Sequence, residues 1–208
     1  MDDTKNRILD AAERLFAERG FAGTSLRALT QEAAVNLAAV SYHFGSKQNL
    51  FKAVVDRRLR PVNEERLQRL SACLKNTPTV EAVLRAFIEP SFSLAPKSPA
   101  KRDTFMRLVG RLYAEPLEEI FDHCARQFEE VLLRFMEALS RLLPQLTAEE
   151  ILWRLHFVIG SLLHPFMVGS RITRYTKGLC TFEDTRALSE RMVRFAVAGM
   201  QAPPASHD

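Results

Sequence analysis

Apolar residues recur every three or four positions along most of the chain, and no segment shows the sustained apolar–polar alternation that is typical of a β-strand. This spacing predicts an all-α protein of about nine helices. The first helix is predicted over Thr4 to Arg19 and is followed by a glycine C-cap at Gly20. One face of this helix carries four apolar residues: Ile8, Ala12, Leu15 and Phe16.

Two short helices are predicted next, each from a capping residue. Thr24 and Ser25 offer an N-cap for a helix of about two turns that begins at Leu26. Asn36 can cap the following helix, predicted over Leu37 to Phe44. We call residues 1–46, which hold these three helices, the head.

A long fourth helix is predicted to join the head to an antiparallel helical bundle. Ser46 can cap this helix, which runs from Lys47 to about Asn76, and Pro61 is expected to kink or split it. Turn signals then divide the bundle into helices near 79–94, 101–114, 117–142, 148–169 and 183–200. We predict a head at 1–46, a ligand-binding and dimerisation domain at 47–202 and a flexible tail at 203–208.

The composition is that of a chain able to bury a core, but it does not identify a partner. With 29 Lys+Arg against 25 Asp+Glu, the net charge is +4, which is ordinary for a domain of this size. The distribution of charged residues along the chain is more informative than the net charge. The head has five basic and six acidic residues, whereas Lys47 to Arg60 holds five basic residues and one acidic residue. The basic excess therefore begins where the long helix begins.

Cysteine usage and the N-terminal sequence favour the cytoplasm. Cys73, Cys124 and Cys180 form neither a disulfide framework nor a zinc motif. The acidic start MDDTKNR lacks the basic and apolar regions of a secretory signal. The most apolar stretch, Leu155 to Ser170, is shorter than the roughly 20 residues that a membrane-spanning helix needs. We predict a cytoplasmic protein with no membrane segment.

The head has the pattern of a helix-turn-helix, in which one helix enters the major groove of double-stranded DNA. The groove is about 12 Å wide, so the first residues of that helix reach base edges only where bulky side chains do not hold the backbone away. The small residues after Leu37 meet this condition. Val40 and Phe44 are expected to face the core, while Ala38, Ala39, Tyr42 and His43 face DNA. Candidates for phosphate contacts are Thr24, Ser25, Tyr42, His43 and Lys47.

A specific motif covers the third helix and its flanks. It consists of Thr24-Ser25-Leu26-Arg27, then Val35-Asn36, then Tyr42-His43-Phe44-Gly45-Ser46-Lys47-Gln48-Asn49-Leu50. These residues resemble the tetracycline-repressor (TetR) family of bacterial transcription regulators over nearly all of residues 5–55. The resemblance implies a dimeric repressor with a DNA-binding head and a helical body that binds a small-molecule inducer. The predicted DNA-binding residues are Thr24, Ser25, Asn36, Leu37, Ala38, Ala39, Ser41, Tyr42, His43 and Lys47.

Three positions depart from the family pattern. Ala34 and Ala38 stand where glycine is common, and Ser41 stands where tyrosine is often found. If Ala34 is left-handed, its Cβ costs on the order of 1 kcal/mol. The phosphate contact usually made at position 41 is expected to pass to Tyr42.

Three further segments are Phe105-Met106-Arg107-Leu108, Leu152-Trp153-Arg154-Leu155-His156-Phe157 and Asn36-Leu37-Ala38-Ala39-Val40. They are similar to a fatty-acid-responsive subgroup that is often called PsrA-type repressors. This resemblance implies a hydrophobic inducer, such as a fatty acid or an acyl-CoA, in an apolar cavity whose few polar groups orient it. The candidate ligand contacts are Arg107, Arg111, Trp153, Arg154 and His156.

Structural roles compete with these ligand contacts. Arg154 follows Glu150 by four residues, a spacing that favours an ion pair on a helix surface. His156 and His164 share one helix face and are better explained as hydrogen-bonded core histidines than as metal ligands. We predict no metal site and no cofactor.

Two late helices carry apolar stripes at the spacing of packed helices. By position they resemble the pair that forms the dimer interface in this family, although the same stripes fit an intramolecular core. Because one short helix gives little affinity for DNA, a homodimer on two half-sites of a pseudo-palindrome is favoured. The stripes consist of Leu152, Leu155, Ile159, Leu163 and Phe166, and of Leu188, Met192, Phe195 and Ala196.

The leading hypothesis is a ligand-responsive repressor that binds a palindromic operator. An enzyme is disfavoured because the chain has no His-Glu-x-x-His, phosphate-binding glycine loop or Gly-x-Ser-x-Gly motif. No catalytic residue is predicted. The alternative is a helical adaptor whose head binds protein, and steeply salt-dependent binding to duplex DNA distinguishes the two hypotheses.

Overall fold

The computed structural model describes residues 2–93, 98–114, 118–168, 171–181 and 184–204. Within these ranges the chain forms ten α-helices and no strand, which confirms the predicted all-α class. The helices are α1 (Asp2–Arg19), α2 (Leu26–Ala33), α3 (Leu37–Phe44), α4 (Lys47–Leu74), α5 (Val80–Ser93), α6 (Pro99–Ala114), α7 (Glu118–Leu142), α8 (Ala148–Val168), α9 (Arg171–Tyr175) and α10 (Thr185–Gln201).

The chain divides into two compact units, each with its own core. The first unit is Met1–Arg60 with Pro96–Arg126, and the second is Pro61–Ala95 with Gln127–Asp208. The division falls within α4 and within α7. The last four residues of the predicted tail, 205–208, lie outside the described residues.

The first unit is built around α1, whose four predicted apolar residues are all buried. Gly20 has a φ of 71° and donates its N–H to the carbonyl oxygen of Phe16 at 3.0 Å, which confirms the glycine C-cap. The next residue, Phe21, packs on the core with its ring centroid 6.0 Å from that of Phe16 and 5.5 Å from that of Phe51. Helix α6 packs against α1 in the same unit.

The second unit buries the apolar faces of α5, α7, α8 and α10. Helix α10 packs against α5 and against α8. The rings of Phe87 on α5 and Phe135 on α7 meet edge to face, with centroids 5.0 Å apart. Ile151 on α8 and Val193 on α10 are fully buried in the same cluster.

The helices differ from the prediction at two places. Helix α4 is one continuous helix through Pro61, so the chain does not split there. Helix α5, predicted near 79–94, runs from Val80 to Ser93 with Pro90 inside it and agrees with the prediction. The five-residue helix α9 was not predicted, because a single turn is too short to show a helical period.

Candidate nucleic-acid interface

The two short helices of the head begin at the predicted capping residues. The Ser25 hydroxyl accepts the N–H of Ala28 at 3.1 Å, and Oδ1 of Asn36 accepts the N–H of Ala39 at 2.8 Å. Each cap satisfies a backbone donor that the first turn of a helix leaves free. The helix-turn-helix therefore begins both of its helices at positions that the sequence specifies locally.

The turn between α2 and α3 is left-handed at Ala34, which has φ 50° and ψ 51°. The condition stated for a cost at this position is therefore met, because alanine stands in a left-handed conformation where glycine is common in the family. One Nη of Arg7 on α1 donates to the carbonyl oxygens of Ala33 and Ala34, at 2.7 Å each. Arg14 on α1 also pairs with Glu32 on α2 at 2.9 Å. These contacts fix the turn to α1, and the sequence does not reveal them because they join residues that lie far apart in the chain.

One side of α3 is free of protein contacts that would bury it. Val40 and Phe44 point into the core, as predicted. The residues at relative positions i, i+1, i+4 and i+5 lie on the open side of the helix. They are Leu37, Ala38, Ser41 and Tyr42, and all four are exposed.

Two residues that were expected to face DNA are only partly accessible. Ala39 and His43 are half-buried. The His43 ring lies beside those of Tyr42 and Phe44, with centroid separations of 5.1 and 6.2 Å. The open surface of α3 is therefore narrower than the sequence predicted.

Thr24, predicted to contact a phosphate, lies inside the protein. Its side chain is fully buried, and its hydroxyl lies 2.8 Å from the carbonyl oxygen of Gly20 and 3.2 Å from that of Leu15. The hydroxyl therefore stabilises the end of α1 and is not available to a phosphate. Ser25, the neighbouring candidate, is exposed.

Lys47 lies in the first turn of α4, where free backbone N–H groups and the positive end of the helix dipole favour an anion. Its Nζ is 4.3 Å from the centroid of the Phe21 ring, a cation–π contact that holds the side chain in place. Burial lowers the pKa of the Lys47 amine from its usual value. Ser46 caps the helix by accepting the N–H of Asn49 at 3.1 Å.

The other basic residues at the start of α4 are engaged within the first unit. Glu13 on α1 is buried and accepts hydrogen bonds from both Arg57 and Arg58. Arg57 also pairs with Asp10 at 2.7 Å. The two remaining pairs are Lys52 with Glu119 and Arg60 with Asp56. The basic excess seen in the sequence is therefore largely neutralised by carboxylates of the same unit.

The candidate ligand contacts are divided between the two units. Arg107 and Arg111 lie in the first unit, where Arg107 is exposed and pairs with Asp103 at 2.9 Å. Arg111 donates to the carbonyl oxygen of Glu18 at 3.4 Å. The other three candidates lie on α8 in the second unit.

Arg154 has a structural role that the sequence did not reveal. It makes the predicted ion pair with Glu150, at 2.7 Å, but its side chain is only 8% exposed, so the pair is not a surface pair. The rest of the guanidinium donates to backbone carbonyl oxygens at the end of α10, at 2.7 to 3.2 Å. These acceptors are Gly199, Met200, Ala202 and Pro203. Arg154 therefore caps α10 and holds it to α8.

The prediction of core histidines on α8 is wrong. His156 and His164 are both exposed, and Nδ1 of His156 lies 2.8 Å from the carbonyl oxygen of Leu152. Within the described ranges, no three His, Cys, Asp or Glu side chains are grouped so that they can hold a metal ion.

The apolar stripes of α8 and α10 mainly face the core, but Phe195 of the α10 stripe is exposed, as are two aromatic residues of α8 that lie outside the stripes. Leu155, Met192 and Ala196 are buried, and the Phe166 side chain lies outside the described residues. Three aromatic side chains on α8 and α10 remain more than half exposed, which is unusual for residues of this size. This exposed aromatic set consists of Trp153 (56%), Phe157 (65%) and Phe195 (69%).

The exposed aromatic set lies among residues that allow close approach. The Trp153 and Phe157 rings stack, with centroids 6.1 Å apart. Gly160 follows on α8 and Gly199 on α10, and a Cβ at either position would meet no atom within 4 Å. Large aromatic rings are enriched at the cores of protein–protein interfaces, and the open space at the two glycines leaves room for a partner.

Two family models match this chain. "Bacterial regulatory proteins, tetR family" matches residues 8–54, and "Tetracyclin repressor-like, C-terminal domain" matches residues 85–199. The chain belongs to the TetR family. TetR-family proteins are DNA-binding transcription regulators, not enzymes; they include repressors, typically respond to a ligand and act as homodimers.

Curated TetR-type relatives match between a quarter and about four fifths of this chain. The probable transcriptional regulator YttP of Bacillus subtilis is 42% identical over 52 residues, which cover 25% of this chain and 25% of YttP. The transcriptional regulatory protein RaaS of Mycobacterium tuberculosis is 32% identical over 123 residues, 58% of this chain and 56% of RaaS. The matches to YttP and RaaS thus cover a quarter and just over half of the length of these two relatives.

Solved structures of TetR-like proteins share the fold over almost the whole chain. NalD of Pseudomonas aeruginosa, the secondary repressor of the MexAB-OprM multidrug efflux pump, has a TM-score of 0.66 at 23% identity, with 95% of this chain and 96% of NalD covered. A TetR-like transcriptional regulator from Rhodococcus sp. RHA1 has a TM-score of 0.63 at 19% identity, with 95% of each chain covered. Every helix in the described part of this TetR-family chain is too short or too polar to cross a membrane.

Proposed function

We propose that this protein is a cytoplasmic repressor that binds a pseudo-palindromic operator as a homodimer and is released by a hydrophobic small molecule. The observation that carries the DNA-binding part is the open side of α3. The exposed residues on this side include the small side chains of Ala38 and Ser41. Asn36 caps the start of the helix, and Arg7 holds the turn that precedes it. This is what a helix needs to enter the major groove.

Phosphate contacts are proposed for three exposed or half-buried residues on either side of α3. Ser25 and Tyr42 carry hydroxyl groups that can donate to phosphate oxygens, and Lys47 adds a charge at the N-terminus of α4. Thr24 is left out because its hydroxyl is engaged. These contacts position α3 on the duplex without specifying its sequence.

The dimer is proposed to form through the exposed aromatic set on α8 and α10. In a two-fold dimer, the same surface of each protomer forms the interface, so each exposed ring contributes to the contact once from each protomer. Removing three half-exposed aromatic rings from water is a large apolar contribution to association. The dimer then presents two copies of α3 to two half-sites.

A fatty acid or an acyl-CoA is proposed as the inducer, because the three segments named above (105–108, 152–157 and 36–40) resemble fatty-acid-responsive repressors. The apolar composition of the second unit is compatible with such a ligand. Arg154 is engaged by the end of α10, and Trp153 and His156 are exposed on the surface. None of the three is therefore assigned to the ligand.

The first experiment selects bound duplexes from a random DNA pool with the purified protein at physiological salt. We expect enrichment of a palindrome, and release of that palindrome when a long-chain acyl-CoA or fatty acid is added. A palindrome that no lipid releases would leave the repressor and remove the lipid inducer. If no sequence is enriched and binding is insensitive to salt, the adaptor hypothesis takes its place.

The phosphate assignment has its own test on the enriched duplex. Lys47→Ala is expected to weaken binding equally for all sequences and to reduce the slope of log affinity against log salt concentration by about 1. Lys75→Ala, at an exposed lysine of the second unit, is the matched control and should leave both quantities unchanged. An unchanged slope in the Lys47 variant would contradict the assignment.

A further inference from the structure

The recognition helix lacks the side chains with which proteins usually read purines. Helix α3 consists of Leu-Ala-Ala-Val-Ser-Tyr-His-Phe, without Arg, Lys, Asn, Gln, Asp or Glu. Bidentate hydrogen bonds to guanine come from Arg or Lys, those to adenine come from Asn or Gln, and Asp or Glu accept from cytosine. No residue of α3 can make any of these pairings.

Asn36, directly before α3, does not supply the missing amide. Its Oδ1 accepts the N–H of Ala39 at 2.8 Å and thereby caps the helix. A bidentate pair with adenine uses the amide oxygen and nitrogen together. Asn36 can make that pair only by giving up the cap, at a cost of roughly 1 kcal/mol of helix stability.

Instead, the first turn of α3 presents apolar groups to solvent. The Leu37 side chain is 53% exposed, and Ala38 beside it is exposed as well. Val40 and Phe44 hold the opposite side of the helix in the core, so Leu37 and Ala38 cannot rotate inward without displacing them. The major groove offers one apolar group to such side chains, the C5-methyl group of thymine.

We infer that Leu37 and Ala38 recognise thymine through its methyl group. Each operator half-site then carries thymines opposite the first turn of α3, and sequence is selected there by apolar contact rather than by bidentate hydrogen bonds. Ser41, one turn further on, can accept or donate to either base of a pair and adds little discrimination. This inference rests on the DNA-binding function proposed above.

The test replaces thymines of the enriched duplex one at a time with deoxyuridine, which lacks the methyl group but keeps every hydrogen-bonding atom. At one or two thymines in each half-site we expect the wild-type protein to bind roughly fourfold more weakly per replacement, the loss that follows from one methyl group leaving an apolar contact. Replacements outside these positions are expected to have no effect.

Two protein variants assign the methyl contact to its side chain. Leu37→Ala should bind the thymine duplex more weakly and should lose its sensitivity to deoxyuridine at one position, as a double-mutant cycle requires for a direct contact. Leu74→Ala, at an exposed leucine at the end of α4, is the matched control and should keep the full sensitivity. Circular dichroism spectra of both variants are compared with that of the wild type to check that they are folded.

Each outcome separates this inference from the function on which it rests. An enriched palindrome whose affinity is the same with deoxyuridine at every thymine overturns the inference and leaves the repressor in place. Sensitivity that persists in full in both Leu37→Ala and Ala38→Gly overturns the assignment to these residues. Failure to enrich any duplex overturns the DNA-binding function and this inference with it.

Discussion

The guanidinium of Arg7 on α1 donates to the carbonyl oxygen of Ala34 at 2.7 Å, and so holds the left-handed residue that ends α2. The turn of the helix-turn-helix is thus fixed by a charged contact at a position where the backbone itself is strained. An alanine Cβ at a φ of 50° crowds the neighbouring carbonyl oxygen, and glycine has no such atom.

Ala34→Gly is therefore expected to raise the free energy of unfolding by about 1 kcal/mol. Urea denaturation, monitored by circular dichroism, measures this free energy of unfolding. Ala125→Gly, the same change at an exposed position inside α7, is the control and should lower the free energy by about 0.5–1 kcal/mol. Equal losses in both variants would show that Ala34 is not strained.

Arg154→Met is expected to destabilise the protein by about 3 kcal/mol, because it leaves the Glu150 carboxylate and several carbonyl oxygens at the end of α10 without their donor. Thermal and urea denaturation measure the loss. Arg141→Met is the matched control, since Arg141 makes an exposed pair with Glu137 that is worth less than about 0.5 kcal/mol. Comparable losses in the two variants would contradict the capping role.

Glu190 predicts a pH dependence of stability. Hydrogen bonding from Arg85 holds the pKa of the Glu190 carboxyl at about 2, below its usual 4.5. Because the pKa is lower in the folded state, the pair stabilises the fold above about pH 4.5, and this stabilisation is lost as the pH falls from there towards 2. Glu190→Gln should therefore melt at a lower temperature than the wild type near pH 7, and the difference should shrink near pH 3.

Melting temperatures measured across this pH range test the Glu190 prediction. Glu130→Gln, at an exposed glutamate of α7, serves as the control and is expected to follow the wild type at each pH. A difference between Glu190→Gln and the wild type that stays constant down to pH 3 would mean that Glu190 does not titrate as proposed.

The exposed aromatic set predicts how the dimer can be broken. Phe157→Ala is expected to raise the dimer dissociation constant at least about tenfold, because large aromatic rings carry a disproportionate share of interface energy. Sedimentation equilibrium measures this constant. Phe121→Ala removes a similarly exposed ring from the first unit and should leave it unchanged. If both variants dimerise like the wild type, the interface lies elsewhere.

Local features of the head could be predicted from sequence because the residues that decide them are close together in the chain. Ser25 and Asn36 cap helices that begin at the next residue, and Gly20 ends the helix that precedes it. The departure from the family motif at Ala34 raised the question of a left-handed residue, and Ala34 has a φ of 50°. In each of these cases the interaction joins residues within four positions of one another.

Features that depend on distant residues were missed. Arg154 looked like half of an i,i+4 pair because its carbonyl acceptors lie 45 or more positions further along the chain. His156 and His164 were assigned to the core because the sequence shows that α8 has an apolar face but not the rotation at which the helix packs. The sequence shows a basic excess over residues 47–60 but not its partners, because Glu13, which engages Arg57 and Arg58, lies more than forty positions away.

The cap that Arg154 places on α10 has a consequence for how this protein can diverge. Apart from Glu150, its acceptors are main-chain oxygen atoms, which every amino acid possesses. Residues 199–203 can therefore change identity without losing the attachment, provided that the backbone keeps its path. The link between α8 and the end of α10 would therefore leave no signal in pairwise covariation among homologous sequences, although one side chain maintains it.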